Sequence, residues 1–171
     1  PLSAAQLHEL AAGLGSDVPF FLHGGAALMS GRGETIQDLM PRDDFMLVLV
    51  YPGLSISPAA AYRWLDEEKD RDRRISLPED LKIQFEQKPP DSWGFFNSFQ
   101  STVASRYPVI QEIIGVLSES GAHPAVLSGS GCSVVGVFTD KRAARTVYRR
   151  IKHRYPGVWL LVPLQSGGLA D

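Results

Sequence analysis

Six apolar residues follow one another without interruption at Phe45-Met46-Leu47-Val48-Leu49-Val50, and after Tyr51 the pair Pro52-Gly53 turns the chain. A run this short cannot cross a bilayer, which takes about 20 apolar residues in a helix. It suits a strand buried on both faces. Everything downstream must then be arranged around that strand. Ser57 can cap, and Pro58 suits the first turn of, a helix that carries Ala61, Tyr62 and Leu65 inward. Ile110, Ile113, Ile114 and Leu117 define an amphipathic helix between Pro108 and Gly121, with a helical segment from Asn97 to Arg106 before it. Ala125–Leu127 and Ser133–Phe138 read as strands joined antiparallel by the short loop Ser128-Gly129-Ser130-Gly131. Asp140 caps a helix to about Tyr155, and Val158–Val162 forms a last strand. Strand, helices, two strands, helix, strand is the split βαβ order of a ferredoxin-like sandwich, so the fold class predicted is α+β.

The residues ahead of this unit form a separate pattern. Ser3 and Gln6 make a capping box, flanked by Leu2 and Leu7 as a hydrophobic staple. Leu7, Leu10, Ala11 and Leu14 recur at helical spacing, which predicts a helix whose apolar face packs on something and which ends at Gly13 and Gly15. Ala26–Met29 reads as a strand, Gly31-Arg32-Gly33 as a tight turn and Glu34–Ile36 as the returning strand. Pro41-Arg42-Asp43-Asp44 marks a boundary, so the expected organisation is residues 1–41 and residues 42–171. Pro89-Pro90 and Trp93-Gly94 mark a further loop, and residues 66–74 are all charged and read as a solvated helix end or loop.

Composition narrows the setting. With 171 residues and 44% hydrophobic content the chain can bury a sizeable core. Seventeen basic against nineteen acidic residues leave a formal charge of −2, which favours neither a nucleic acid nor a membrane surface as partner. Cys132 is the sole cysteine, so there is no internal disulfide framework, and a reducing, cytoplasmic setting is expected. No secretory leader opens the chain, and its first residue, Pro1, reads as a cut. His8, His23, His123 and His153 lack metal-ligand spacing, so no metal site of protein side chains alone is expected. Seven lysines and arginines and no acid lie between Lys141 and Arg154; Arg142, Arg145, Arg149 and Lys152 share one face, opposite Ala144, Val147, Tyr148 and Ile151. That distribution reads as a solvated outer face over a packed inner one.

Two short motifs can carry chemistry. In Gly15-Ser16-Asp17-Val18-Pro19-Phe20-Phe21 a carboxylate sits between a glycine-serine turn and a rigid apolar run, with the proline pushing Val18 toward an extended conformation. Asp17 held at such a corner can accept a proton from a substrate hydroxyl; the same residues also read simply as a turn or helix cap. In Ser128-Gly129-Ser130-Gly131 the backbone N–H groups are unobstructed and can form a nest for a phosphate oxygen, or the loop is an ordinary hairpin turn. No lysine follows these glycines, so this is not a Walker A sequence.

Together, Leu14–Leu22, Gly24-Gly25-Ala26-Ala27, Gly31-Arg32-Gly33-Glu34, Pro52–Ser57 and Leu127–Cys132 resemble, in order and spacing, the 4-diphosphocytidyl-2-C-methyl-D-erythritol kinases of the GHMP kinase superfamily. The Gly-Ser-Asp-Val-Pro block is specific to that family, whereas the glycine-serine loop is shared across the superfamily. The resemblance implies a GHMP kinase C-terminal ferredoxin-like domain preceded by the last helix and hairpin of the N-terminal domain. It implies transfer of the ATP γ-phosphate to the 2-hydroxyl of the cytidine-diphosphate-linked methylerythritol, with Mg²⁺ carried on the nucleotide phosphates, in the non-mevalonate route to isoprenoid precursors. On that footing Asp17 is the catalytic aspartate and Tyr62 lies against the cytosine ring, unless Tyr62 is a core residue of its helix. Gly129, Ser130 and Gly131 support phosphates.

The chain also departs from the family pattern. Asn97-Ser98-Phe99-Gln100 stands where an Asn-Asp-Leu/Phe-Glu sequence is usual. The family's main ATP-phosphate loop and its N-terminal lysine precede the block that opens this chain, so the resemblance implies that the chain alone is catalytically silent. It also implies exposed apolar surface on residues 1–40 through which the chain can self-associate. Two alternatives stand: another GHMP small-alcohol kinase, or a non-catalytic ferredoxin-like module binding an anionic partner such as RNA through residues 141–154. Against the second, Ser133–Phe138 offers no RNP-like aromatic pair.

Overall fold

A computed structural model describes residues 2–31, 33, 35–68 and 81–164. In chain order the described elements are α1 (Ala4–Leu14), α2 (Phe20–His23), β1 (Ala26–Ser30), β2 (Thr35–Leu39), β3 (Met46–Tyr51), α3 (Pro58–Glu68), α4 (Leu81–Gln87), α5 (Gln100–Arg106), α6 (Pro108–Glu119), β4 (Ala125–Leu127), β5 (Val134–Phe138), α7 (Lys141–Ile151) and β6 (Gly157–Leu161). Most of the charged run 66–74 lies outside the described residues.

Strand β3 is bonded on both edges. The sheet order is β4–β5–β3–β6 with every pair antiparallel, which is the ferredoxin-like arrangement the element order implied. Burial along β3 alternates, with Met46, Val48 and Val50 buried and Leu47, Leu49 and Tyr51 half-buried. The expectation of a strand buried on both faces is therefore corrected: one face is buried and the other half-buried. Helices cover one face: Val48 and Val50 pack with Val103, Ile110, Ile113, Leu117, Val147 and Ile151 in one cluster. In α6 the buried residues are Ile110, Ile113, Ile114 and Leu117, the stripe expected from the sequence. In α7 they are Ala144, Val147 and Ile151, and the Asp140 side chain accepts from Arg142 N.

The second sheet face is closed at one end by a knot that the sequence pattern did not announce. Phe45, Trp93 and Val137 form a smaller buried cluster with Leu47, Phe85 and Phe95 against it. Trp93 stacks on Phe85 at 5.2 Å, meets Phe45 edge-on at 5.2 Å, and donates its indole N–H to Gln84 O at 2.8 Å. Arg42 lies 5.3 Å over the Trp93 ring and donates to Phe85 O and Lys88 O, satisfying carbonyls at the end of α4. Asp44 accepts from Arg42 in turn. Helix α4 has no strong apolar period, and this capture by Arg42 and Trp93 explains how so short a helix persists.

The opening segment keeps its expected elements with two differences. The capping box of α1 is formed by Ser3 and Gln6, and Gly15 ends the helix. Its apolar face, however, is not packed: Ala11 is buried, whereas Leu10 is 58% and Leu14 82% exposed. Val18 is not part of an extended run either. Val18 N bonds Gly15 O and Phe21 N bonds Val18 O, so residues 15–21 are wound into successive turns leading into α2. The hairpin β1–β2 pairs antiparallel from Ala26↔Leu39 to Ser30↔Thr35.

Asp44 carries a testable pH dependence. Its hydrogen bond to Arg42 holds the carboxyl below its ordinary range, so the stabilisation is present above about pH 4 and is lost as pH falls through the lowered folded value. Chemical denaturation from pH 5 down to pH 2, on the order of the carboxylate range, is expected to show the stability advantage over Asp44→Asn shrinking with acid. A constant difference across that range would exclude this role.

Candidate active site

Asp17 lies at an exposed turn and is held by its neighbours in the chain and by the hairpin. Gly33 is buried, has φ +107, and approaches so closely that a Cβ there would meet Ser16 O at 2.8 Å and Asp17 Oδ1 at 3.2 Å. Only glycine tolerates both that backbone angle and that space. The hairpin turn is therefore seated on the Asp17 corner, and the spacing Asp17…Gly33 in the sequence has a physical cause.

The loop Ser128–Gly131 is clamped from two sides. Asn97 Nδ2 donates to Leu127 O at 2.8 Å and to Gly129 O at 2.7 Å, while Asn97 Oδ1 accepts from Phe99 N at 2.8 Å. Gln100 Oε1 accepts from Leu127 N at 3.0 Å. On the other side a Cβ at Gly131, φ +113, would meet Ile56 Cδ1 at 3.1 Å, and Cys132 Sγ donates to Leu54 O. The Pro52–Ser57 segment thus backs the loop. Within the loop Gly131 N bonds Ser128 O and Ser128 N bonds Ser133 O, and among the described residues Gly129 N and Ser130 N have no protein acceptor. Two adjacent amides are thus left without a protein acceptor at the tip of the loop, where Gly129 is exposed and Ser130 half-buried.

Tyr62 is 58% exposed, so the expectation of an inward core tyrosine is corrected; Ala61 beside it is fully buried and carries the packing. The Tyr62 ring meets Phe99 edge-on at 4.9 Å, leaving a face free. Tyr62 therefore joins the loop through Phe99 and Asn97. The acids absent from Asn97-Ser98-Phe99-Gln100 are not needed for this clamp, because amide oxygens accept and the Asn97 amide donates.

One feature was missed in the sequence. An apolar cleft of about 600 Å³ is lined by Phe20, Leu28, Leu39, Phe85, Phe95 and Phe96 among others, with Ser98 at its wall. Phe20 belongs to the turn series that holds Asp17, and Phe96 immediately precedes Asn97, so corner and clamp border the same cleft. The Phe95-Phe96 pair beside Asn97 was the available signal; only the hairpin's position against α4 turns it into a concavity. Among the described residues no group of three or more His, Cys, Asp or Glu is placed to hold a metal ion, and no helix is long and apolar enough to cross a membrane.

Residues 88–157 match the family described as GHMP kinases C terminal. The chain is 36% identical over 154 residues to a 4-diphosphocytidyl-2-C-methyl-D-erythritol kinase of Deinococcus radiodurans, covering 90% of this chain and 50% of the relative. It is 40% identical over 162 residues to the enzyme of that name from Anaeromyxobacter dehalogenans, covering 90% and 48%. The chain thus spans about half the length of the curated relatives it matches. A crystal structure of 4-(cytidine 5'-diphospho)-2C-methyl-D-erythritol kinase superposes with a TM-score of 0.69 at 26% identity, over 95% of this chain and 57% of that one. Homoserine kinase from Cytophaga hutchinsonii, at 16% identity and a TM-score of 0.59 over 88% and 51%, shares the fold. Residues 88–157 thus match a GHMP kinase C-terminal domain, and the chain as a whole is similar to the 4-diphosphocytidyl-2-C-methyl-D-erythritol kinases over about half their length.

Proposed function

We propose that this chain is the part of a kinase that phosphorylates the 2-hydroxyl of 4-diphosphocytidyl-2-C-methyl-D-erythritol, a cytoplasmic step toward isoprenoid precursors. The observation that carries the reading is the similarity of 90% of the chain to kinases of that name. The two units, residues 1–41 and 42–171, correspond in this reading to part of the N-terminal and to the C-terminal kinase domain.

ATP, with Mg²⁺ on its phosphates, supplies the transferred phosphoryl group. The chain's own residues position and polarise. Asp17, exposed on its turn, accepts the hydrogen bond of the 2-hydroxyl and aligns the oxygen for attack. Gly129 and Ser130 direct their free amides at a phosphate oxygen, stabilising charge where it gathers. The exposed face of Tyr62 stacks on the cytosine, and the Phe20–Phe96 cleft is the competing place for that ring. Catalysis by this chain alone is not expected, since no cation of the described residues pairs with Asp17 and phosphoryl transfer depends on charge neutralisation. Self-association through Leu10, Leu14 and Phe21, all exposed, follows from the same reading. The relatives named above are kinases by name, which favours this reading over the RNA-binding one.

The test is ATP-dependent phosphorylation by the chain, and by a chimera that joins it to the portion of the Deinococcus radiodurans kinase outside the aligned region. The chimera is expected to be active and the chain silent. Asp17→Asn in the chimera should lower kcat by about 10²- to 10⁴-fold. A folded chimera that binds ATP yet leaves the methylerythritol substrate unmodified would sink the substrate assignment. Gly33→Ala, which strains the turn by about 1–3 kcal/mol and displaces the corner, should reproduce part of that kcat loss with Asp17 intact. Tyr62→Ala should instead raise KM for the cytidine-linked substrate and leave KM for ATP unchanged; an unmoved KM would move the cytosine to the Phe20–Phe96 cleft.

A further inference from the structure

We infer that Asn97 is a positioning residue that orients the Gly129–Ser130 peptide to receive a phosphate oxygen, an inference that rests on the phosphate-loop reading above. The argument is geometric. In a trans peptide the carbonyl and the following N–H point in opposite directions, and the cis bonds of this chain lie elsewhere, at His123–Pro124 and Gly131–Cys132. Asn97 Nδ2 holds Gly129 O at 2.7 Å, so Ser130 N–H is turned away from Asn97. It has no protein acceptor among the described residues, and Ser130 is half-buried beside the exposed Gly129.

Asn97 can do this because its own amide is pinned three ways. Its nitrogen holds both Gly129 O and Leu127 O, and its oxygen accepts from Phe99 N, which settles which end of the amide faces the loop. Gly129, with φ +59, is free to rotate its peptide, so without the Asn97 donor nothing on this side selects one orientation of the plane. An anion arriving at an unfixed loop must first order it, which lowers affinity. Phe99 transmits the same register to Tyr62, so one side chain aligns the phosphate loop with the exposed aromatic face.

Asn97→Asp and Asn97→Ser isolate the role. Both keep an oxygen for Phe99 N and remove the amide donor, and the aspartate also repels Gly129 O. The experiment titrates pyrophosphate into the nitrogen-15-labelled chain and follows the Gly129 and Ser130 amide resonances, with Phe99 as the internal reference for an intact turn. The wild-type chain is expected to show saturable shifts at both loop amides. The variants should show a displaced Ser130 resonance before any ligand is added and about tenfold weaker binding, the loss of one oriented charge-assisted hydrogen bond. Variants that retain the Phe99 signal and bind as tightly as wild type would overturn the Asn97 role and leave the phosphate loop standing. A wild-type chain whose loop amides ignore pyrophosphate would overturn the loop reading and this inference together.

Discussion

Because β3 is bonded on both edges, its backbone is satisfied without solvent and the rest of the chain is left to cover two apolar faces by different means. The face of Met46, Val48 and Val50 takes the helices, whose stripes at Ile110–Leu117 and Ala144–Ile151 are wide enough to seal it. The opposite face, with Leu47 and Leu49, is closed at one end by side chains from α4 and the loop after it. That second closure needs Arg42: its guanidinium meets the carbonyls at the end of α4 and lies over Trp93, so the segment entering β3 and the cover of β3 stabilise each other.

The candidate site follows from this division. Gln100 and Asn97 stand at the start of the helical layer, and the β4–β5 connection passes directly over them. Since β4 and β5 are sealed into the sheet, the loop between them has little freedom at its ends, and two amide side chains suffice to set its middle. The cleft on the other side has a different origin. It exists because the β1–β2 hairpin stands against α4 and the Phe95-Phe96 turn, so it depends on the Arg42 knot rather than on the sheet itself. Holding the Ser128–Gly131 loop and shaping the apolar pocket thus fall to separate structural supports that meet at residues 95–98.

How legible this was differs by element. The order of strands and helices after residue 45 was readable because buried stripes and glycine-serine breaks recur at the periods that helices and strands require. The Asp17 block and the glycine-serine loop were readable as motifs for the same local reason. Tyr62 was readable only as a choice between an inward helix residue and an exposed ring: Ala61 takes the buried position on α3, and Tyr62 is turned outward against Phe99. Helix α4 was missed since its seven residues are held by Arg42 and Trp93 from far along the chain. The apolar face of α1 was expected to be covered, and its periodicity could report only that a partner was needed.

By itself the sequence determined the local conformations: where Ser3 and Asp140 cap, where glycine-rich turns break the chain, that residues 45–50 form a strand, and which motifs resemble the 4-diphosphocytidyl-2-C-methyl-D-erythritol kinases. Those depend on interactions within a few residues, which a linear pattern records. Tertiary structure alone decided that Gly33 seats Asp17, that Asn97 turns the Gly129–Ser130 peptide, and that Phe20 and Phe96 line one cleft. These pairs lie far apart in the chain, and only close packing of the hairpin, helices and sheet converts each into a contact with a direction.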